Sequence, residues 1–220
     1  MANQSGRAPT LEYLQSPATA EADHRIANSL ALIAGLVRVR ASNGIGQNEL
    51  VPFLREIAER IETVAKLHRH IARSRGEAVV LGDYLADTCE QLGGALAPSV
   101  SPPSVEVACP SDLIVPFRTA LPLGLVTAEL FSNTLKYAHP AGLPAKVLLS
   151  CERTSPGALL FVFEDDGVGF PDGFDIAQDG HLGMRFIHML SEQLGGSPRW
   201  HSDPLGVRFE VTIELERASH

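Results

Sequence analysis

Apolar residues recur at helical spacing over the first third of the chain. The first series advances in steps of four, three and four: Ile26, Leu30, Ile33 and Val37. Such steps place the four side chains on one face of a helix, which the pattern predicts from Glu21 to about Ser42. The Asn43-Gly44 pair that follows favours a left-handed stop.

A second series begins after this stop, in steps of three and four: Leu50, Leu54, Ile57, Ile61, Val64, His68 and Ile71. Pro52 falls early enough to be tolerated in a first helical turn. Two helices joined by a short Gly/Asn loop form an antiparallel hairpin. Because one hairpin cannot cover both of its apolar faces, we expect it to pair with a second copy in a four-helix bundle. Packing on the C-terminal half of the same chain is the alternative.

The second half alternates between strand and helix periods. Strands are predicted at 105–109, 113–117, 145–152 and 159–164, helices at 122–139 and 182–194, and a closing hairpin at 198–201 and 206–214. The stretch 97–103 is the richest in Pro and Ser, which indicates a domain boundary. The predicted class is α+β: a flexible tail at 1–20, a helical-hairpin dimerisation domain at 21–97, and an α/β sandwich at 104–217.

Composition and charge narrow the classes of function. Of the 220 residues, 45% are hydrophobic and 20% charged, which is ordinary for a globular protein. The net charge, 18 − 26 = −8, would repel a polyanion, so no nucleic-acid partner is expected. The longest apolar run, 30–37, is too short to span a bilayer, and no membrane partner is expected. The absence of an apolar leader and the wide separation of the three cysteines predict a cytoplasmic location.

A polar stripe lies on the helix predicted at 122–139. Glu129, Asn133 and Lys136 are spaced by four and three, so they share one face among Leu and Ala residues. Such a stripe on a core-facing helix is costly unless it binds something. Amide and carboxylate oxygens suit Mg²⁺, and an ammonium group suits phosphate oxygens. A solvated face with ion pairs along the helix would explain the same spacing.

Two glycine-rich segments follow. Asp165-Asp166-Gly167-Val168-Gly169 ends the strand predicted at 159–164. A carboxylate there can accept a hydrogen bond from an exocyclic amine, and the glycines let the backbone approach a flat ring. The segment 180–185 opens a helix, where free backbone N–H groups bind phosphate favourably. Taken alone, the first segment is also explained by a tight turn at the end of a strand. The second is equally compatible with a plain loop before a helix.

In this order and spacing, the three segments resemble the N, G1 and G2 boxes of the Bergerat-fold ATPases, which include gyrase B, the heat-shock-90 chaperones and sensor histidine kinases. The resemblance implies ATP and Mg²⁺ as cofactors. By it, Asn133 holds Mg²⁺ through the phosphates, Asp165 reads the adenine amine, and Glu129 and Lys136 are catalytic. It also implies three glycines that shape the pocket and its lid: Gly167, Gly169 and Gly183. His181 departs from the pattern, since many kinases have a glycine there.

The first half is similar to the dimerisation and phosphoacceptor domain of one histidine kinase subgroup. The segment Asp23-His24-Arg25-Ile26-Ala27-Asn28, followed by the apolar hairpin, matches the His-Arg-x-x-Asn signature of that subgroup. By this match His24 is the phosphorylated residue. Neutral imidazole is a good nucleophile near pH 7, since its pKa is about 6.5, and phosphohistidine stays reactive enough to pass its phosphoryl group on.

The resemblance covers about residues 20–215 and implies an ATP-dependent protein-histidine kinase of a two-component phosphorelay. His24 would take the γ-phosphoryl group and pass it to an aspartate in a response-regulator receiver domain, and the chain would act as a homodimer. One alternative is a histidine phosphotransfer or adaptor protein that does not use ATP. Another is a serine/threonine anti-sigma kinase with the same ATP domain, against which the hairpin with His24 argues.

Overall fold

The structure is a computed structural model that describes residues 17–42, 44–73, 78–96, 103–155, 157–176 and 181–215, and within them the side chains of residues 17–26, 47, 71–73 and 94–96 are not described. Most of the predicted tail, most of the Pro/Ser-rich stretch and Gly180 lie outside these residues. Two helices, α1 (Pro17–Ser42) and α2 (Gln47–Arg73), come first and pack against each other. Helix α1 therefore begins four residues before the predicted start.

Each hairpin helix buries one face. Four apolar side chains on these faces are at most 3% exposed: Ile33, Leu36, Val64 and Leu67. The predicted apolar series is not buried as a whole, because three of its members, Leu30, Leu54 and Ile61, are 41, 54 and 43% exposed. Pro52 lies in the second turn of α2 and not in the first, since the helix begins at Gln47.

The α/β half begins after the hairpin. It contains β1 (Ala78–Val80), α3 (Leu81–Leu96), β2 (Ser104–Ala108), β3 (Ile114–Pro116) and α4 (Phe117–Asn133). Strands β1 and β3 pair antiparallel, and α3 packs on α4 with Tyr84 and Leu85 fully buried. Residues 78–96 thus share the core of the second half. The boundary at 97–103 stays a prediction.

The remaining elements complete a sheet covered by helices. They are a π-helical turn (Thr134–Ala138), β4 (Lys146–Ser155), β5 (Ala158–Asp165), α5 (Leu182–Gln193), β6 (Pro198–Asp203) and β7 (Gly206–Glu214). The five-stranded sheet has the order β2-β4-β5-β7-β6, in which β2 and β4 are parallel and the other neighbours antiparallel. Helices α4 and α5 pack together, and the core includes five fully buried phenylalanines: Phe131, Phe161, Phe163, Phe186 and Phe209. This arrangement confirms the predicted α+β class.

Helix α4 runs through the core. It begins at Phe117, five residues before the prediction, and ends in the π-helical turn. Every residue from Thr119 to Ala128 is buried, so the polar stripe starts only where α4 reaches Glu129. The interior position of α4 explains why a carboxylate on it requires a partner.

Two of the cysteines meet between neighbouring parallel strands. Cys109, just beyond β2, and Cys151 of β4 form a disulfide with Cα atoms 4.6 Å apart, whereas Cys89 is a buried free thiol. The wide separation of the cysteines in the sequence, from which a reducing compartment is predicted, does not reveal this pair, because spacing alone does not show which strands are parallel neighbours. The cytoplasmic location stays a prediction. Among the described residues, no helix is long and apolar enough to cross a bilayer.

Candidate nucleotide site

A cavity of about 490 Å³ lies between the helix hairpin and the α/β half of the chain. The residues predicted from the sequence that line it are Glu129, Asn133, Lys136, Asp165, Gly169 and Gly183. The structure thus brings the three separate segments together around one space. His24 lies in α1, among the residues whose side chains are not described.

Helix α2 supplies a wall of this cavity that the sequence did not predict. Its lining residues are Glu56, Glu59, Arg60, Glu62, Thr63 and Lys66. They share one side of the helix through steps of three and four, which the apolar series obscured. The hairpin that carries His24 therefore borders the cavity directly.

Glu129 pairs with an arginine of α2. Nη2 of Arg60 donates to Oε2 of Glu129 at 3.0 Å, and the two side chains are only 8 and 14% exposed. Burial raises the pKa of Glu129 above its ordinary value, while the Arg60 charge and hydrogen bond act in the opposite direction. The other cations and acids that influence this carboxyl are Lys136 and Glu56.

The other two members of the stripe lie further along the same wall. Asn133 is the last residue of α4 and is half-buried, while Lys136 lies on the π-helical turn. Nζ of Lys136 is 3.7 Å from Oε2 of Glu59, and both side chains are about half exposed, at 46 and 51%. Lys136 therefore keeps much of its surface open to the solvent and the cavity.

Asp165 is held by three hydrogen-bond donors. Its Oδ1 accepts from the backbone N–H groups of Gly167 at 3.0 Å and Val207 at 3.2 Å, and its Oδ2 accepts from the Thr134 hydroxyl at 2.9 Å. These contacts fix the carboxylate at the end of β5, facing the cavity. Thr134 follows Asn133 directly, yet nothing in the sequence pattern singled it out.

Asp166, the acid next to Asp165 in the chain, has a different environment. Asp166 Oδ1 accepts from the Lys146 backbone N–H at 2.7 Å and contacts Nε2 of His139 at 2.9 Å. Partial burial would raise the pKa of Asp166, but these two hydrogen bonds outweigh it and hold the pKa below its ordinary value. Asp166 does not line the cavity, so the two acids of this segment have separate roles.

The glycines of the segment 165–169 are required by close packing. A Cβ at Gly167 would lie 2.6 Å from both Cα and Cβ of Ala138 on the π-helical turn. Gly169 has φ +75°, a conformation that side chains rarely adopt, and a Cβ there would collide with the Asp203 carbonyl. The loop therefore sits tightly between the π-helical turn and the β6–β7 hairpin.

Gly183 lies at the start of α5, against the buried ion pair. A Cβ at this position would be 2.7 Å from Oε2 of Glu129 and 3.1 Å from Nη2 of Arg60. His181 precedes the helix, lines the cavity and makes no side-chain capping bond. The helix begins where predicted, and its glycine makes room for the charged pair.

Three aromatic side chains that follow Asp165 in the chain line the cavity, and nothing in the sequence pattern singled them out. Phe170 stacks on Phe174 with ring centroids 5.0 Å apart, and Trp200 lies 5.9 Å from Phe170. They come from the loop after β5 and from β6, so only the folded sheet unites them. Among the described residues, no group of three or more His, Cys, Asp or Glu side chains is arranged to hold a metal ion.

This combination of a helix hairpin and an α/β layer recurs in proteins of known class. Residues 21–96 match a family model described as histidine kinase. The chain is also 26% identical, with a TM-score of 0.65, to the solved histidine kinase domain of a blue-light activated histidine kinase from Erythrobacter litoralis, covering 89% of this chain and 92% of that one. Residues 21–96 therefore belong to the histidine kinases, and the chain as a whole shares the fold of that solved kinase domain.

The relatives in sequence are sensor histidine kinases. Blue-light-activated histidine kinase 2 of Erythrobacter litoralis is 28% identical over 206 residues, which are 90% of this chain and 57% of that protein. Sensor histidine kinase PdtaS of Mycobacterium tuberculosis is 31% identical over 183 residues, which are 80% of this chain and 35% of that protein. The chain thus spans about a third to just over half of the length of these relatives.

Proposed function

We propose that the chain catalyses ATP-dependent autophosphorylation of His24 and passes the phosphoryl group to an aspartate in a response-regulator receiver domain. The observation that carries the proposal is the cavity itself. It unites a fixed carboxylate, a wall of aromatic rings and a stripe of acid, amide and base, and it borders the hairpin that contains His24. Family membership supports kinase activity, and the residues of the cavity fit the nucleotide that such a kinase requires.

One end of the cavity suits an adenine base. Asp165 has free acceptor capacity on Oδ2, because a carboxylate oxygen can accept more than the one hydrogen bond that Thr134 donates. It can therefore accept from an exocyclic amine. Phe170 and Trp200 offer apolar surface for the flat ring beside it.

The other end suits phosphates and Mg²⁺. The Lys136 ammonium can approach phosphate oxygens, and the N-terminus of α5 favours anions. Mg²⁺ keeps most of its waters and takes few protein ligands, so the Asn133 amide oxygen together with phosphate oxygens would suffice. Bound ATP supplies the phosphoryl group, and these residues position it and neutralise its charge.

His24 supplies the nucleophile in this proposal. A ring nitrogen forms the N–P bond as the bond from phosphorus to the ADP oxygen breaks, and the ring then releases its extra proton to solvent. An oxygen of a receiver-domain carboxylate next forms a bond to phosphorus as the N–P bond breaks, and the ring takes up a proton from solvent, which restores neutral histidine. We place the reaction in the cytoplasm, where ATP is available.

Incubation with γ-labelled ATP tests the proposal. Wild-type protein should acquire a label that is labile in acid and stable in base, and it should pass this label to a receiver domain. His24→Ala should bind nucleotide with unchanged affinity but take no label, whereas His188→Ala, which removes an exposed histidine of α5, should label normally. Acid-stable label would indicate serine or threonine as the acceptor. Nucleotide binding without any label would favour the adaptor alternative.

We also propose that the hairpin forms a homodimer through its exposed apolar stripe. Leu50, Leu54 and Ile61 of α2 and Leu30 of α1 are 44, 54, 43 and 41% exposed, although their own chain covers the neighbouring face of each helix. A second hairpin would bury this stripe in a four-helix bundle. Leu54→Glu should convert the dimer to monomer in light scattering, while Glu62→Gln, an exposed change on the same helix, should leave the mass unchanged. A wild-type monomer at all concentrations would contradict the dimer.

A further inference from the structure

We infer that Arg60 is a positioning residue for phosphoryl transfer, which docks the hairpin on Glu129 at the α5 end of the cavity. The inference rests on the proposed function. It concerns a contact between parts of the chain that lie 69 residues apart. Arg60 belongs to α2, the partner helix of the one that carries His24, whereas Glu129 belongs to the wall of the nucleotide cavity.

The geometry makes Arg60 part of the cavity and not of the surface. The residue is 7% exposed, and its Nη1 also donates to the Glu56 carbonyl at 3.2 Å and lies 3.5 Å from the Glu56 carboxylate. Two anchors on α2 and one on α4 thus fix the guanidinium. Its buried Nε has no hydrogen-bond partner among the described residues. An arginine held in this way keeps Glu129 in one orientation.

Three elements meet at this ion pair. Helix α2 gives Arg60, α4 gives Glu129, and α5 begins with Gly183, whose missing side chain leaves the space that the pair occupies. The phosphate end of the proposed site is therefore built jointly by the hairpin and the α/β half. Transfer to His24 requires these two parts to be docked with this end of the cavity against the hairpin, and the ion pair is a direct charged contact between them.

The Arg60–Glu129 ion pair matters more for the orientation of the reacting groups than for the stability of the fold. Removing two charges from water offsets most of their attraction, so a buried ion pair contributes little net stability. Orientation of reacting groups, in contrast, has large effects on rate, and a misplacement of about 1 Å can cost roughly a hundredfold. We therefore expect the loss of Arg60 to affect the rate of transfer more than the binding of nucleotide, whose base end lies elsewhere in the cavity.

The test compares Arg60→Ala and Arg60→Lys with Arg55→Ala, a matched control that removes an exposed cation from the same helix. We expect Arg60→Ala to lower kcat for autophosphorylation at least about tenfold while Kd for ADP changes less than about twofold. Arg60→Lys should recover part of the rate, because it restores the charge without the two-nitrogen fork. Arg55→Ala should match the wild type.

A double-mutant comparison establishes whether Arg60 acts through Glu129. In a Glu129→Gln background, replacing Arg60 by Ala should cause little further loss, whereas independent effects would multiply. An unchanged or raised kcat in Arg60→Ala, an equal loss in Arg55→Ala, or independent effects in the double mutant would overturn the inference. If Arg60→Ala does not fold by circular dichroism, Arg60→Lys decides, and a wild-type kcat in it overturns the inference. A wild type that takes no label would instead overturn the proposed function.

Discussion

Replacing Asp165 by Asn should change which purine the cavity prefers while leaving the fold intact. The Asn oxygen can keep the two backbone hydrogen bonds that Oδ1 accepts from Gly167 and Val207. The Asn NH₂ group would face the Thr134 hydroxyl, which can accept from it because that hydroxyl can donate to the Leu130 carbonyl at 3.1 Å. The local network therefore survives the substitution.

The substitution instead weakens the binding of the adenine nucleotide. In place of an acceptor, the 6-amine of adenine would meet a second donor, and an unpaired buried polar group costs about 1–3 kcal/mol. This cost corresponds to a roughly 5- to 150-fold weaker Kd for ADP. A 6-oxo purine should gain, since its carbonyl can accept from the new NH₂ group. The ratio of the Kd values for ADP and IDP should therefore reverse.

The assay can use the protein's own fluorescence. Trp200 is the sole tryptophan of the chain and lines the cavity, so its emission should report nucleotide binding, with calorimetry as a second measure. Asp166→Asn is the matched control, because it makes the same change one residue away and outside the cavity. Equal losses in both variants, or an unchanged ADP to IDP ratio in Asp165→Asn, would refute the assignment of Asp165 to the base.

Asn133→Ala should raise the Mg²⁺ concentration needed for half-maximal autophosphorylation while adenosine affinity stays constant, and normal activity at low Mg²⁺ would remove Asn133 from the metal site. Gly167→Ala should lower the free energy of unfolding by about 1–3 kcal/mol in urea titrations, since its Cβ would lie 2.6 Å from backbone and side-chain atoms of Ala138. Gly46→Ala, which meets only ordinary contacts, should not have this effect. The lowered pKa of Asp166 means that its ionised form stabilises the fold above the ordinary pKa of 3.8, and that this stabilisation is lost as pH falls through the lower, folded-state pKa. The stability difference between wild type and Asp166→Asn should therefore shrink in acid, and a difference independent of pH would contradict it.

The sequence predicted the elements of the α/β half closely, because strand alternation and helical spacing are local signals. The helix predicted at 182–194 is α5 (Leu182–Gln193), and the strand predicted at 206–214 is β7 (Gly206–Glu214). Where the prediction deviates, the local signal is weak. The three-residue strand β1 is too short for a period, and nothing in the composition of Thr134–Ala138 distinguishes a π-helical turn from an α-helical one.

The contacts that complete the cavity are less accessible to sequence reasoning. The polar stripe on α4 could be found because its members recur on one helix. Arg60 could not, since its partner Glu129 is 69 residues away and its own helix is dominated by an apolar series. Trp200 likewise joins Phe170 only after β6 has been added to the sheet. Such pairs depend on tertiary packing, which a single sequence does not encode in any local spacing.

The two ends of the cavity depend on different parts of the chain. The carboxylate of Asp165 is oriented entirely from within the α/β half, because its donors belong to Thr134, Gly167 and Val207. The carboxylate of Glu129 forms its ion pair across to the hairpin, with Arg60. A base could therefore be recognised whatever the position of the hairpin, whereas the phosphate end is complete only when the hairpin is docked. In the proposed kinase, this division would let the chain hold its nucleotide while its reactivity follows the position of the helices that carry His24.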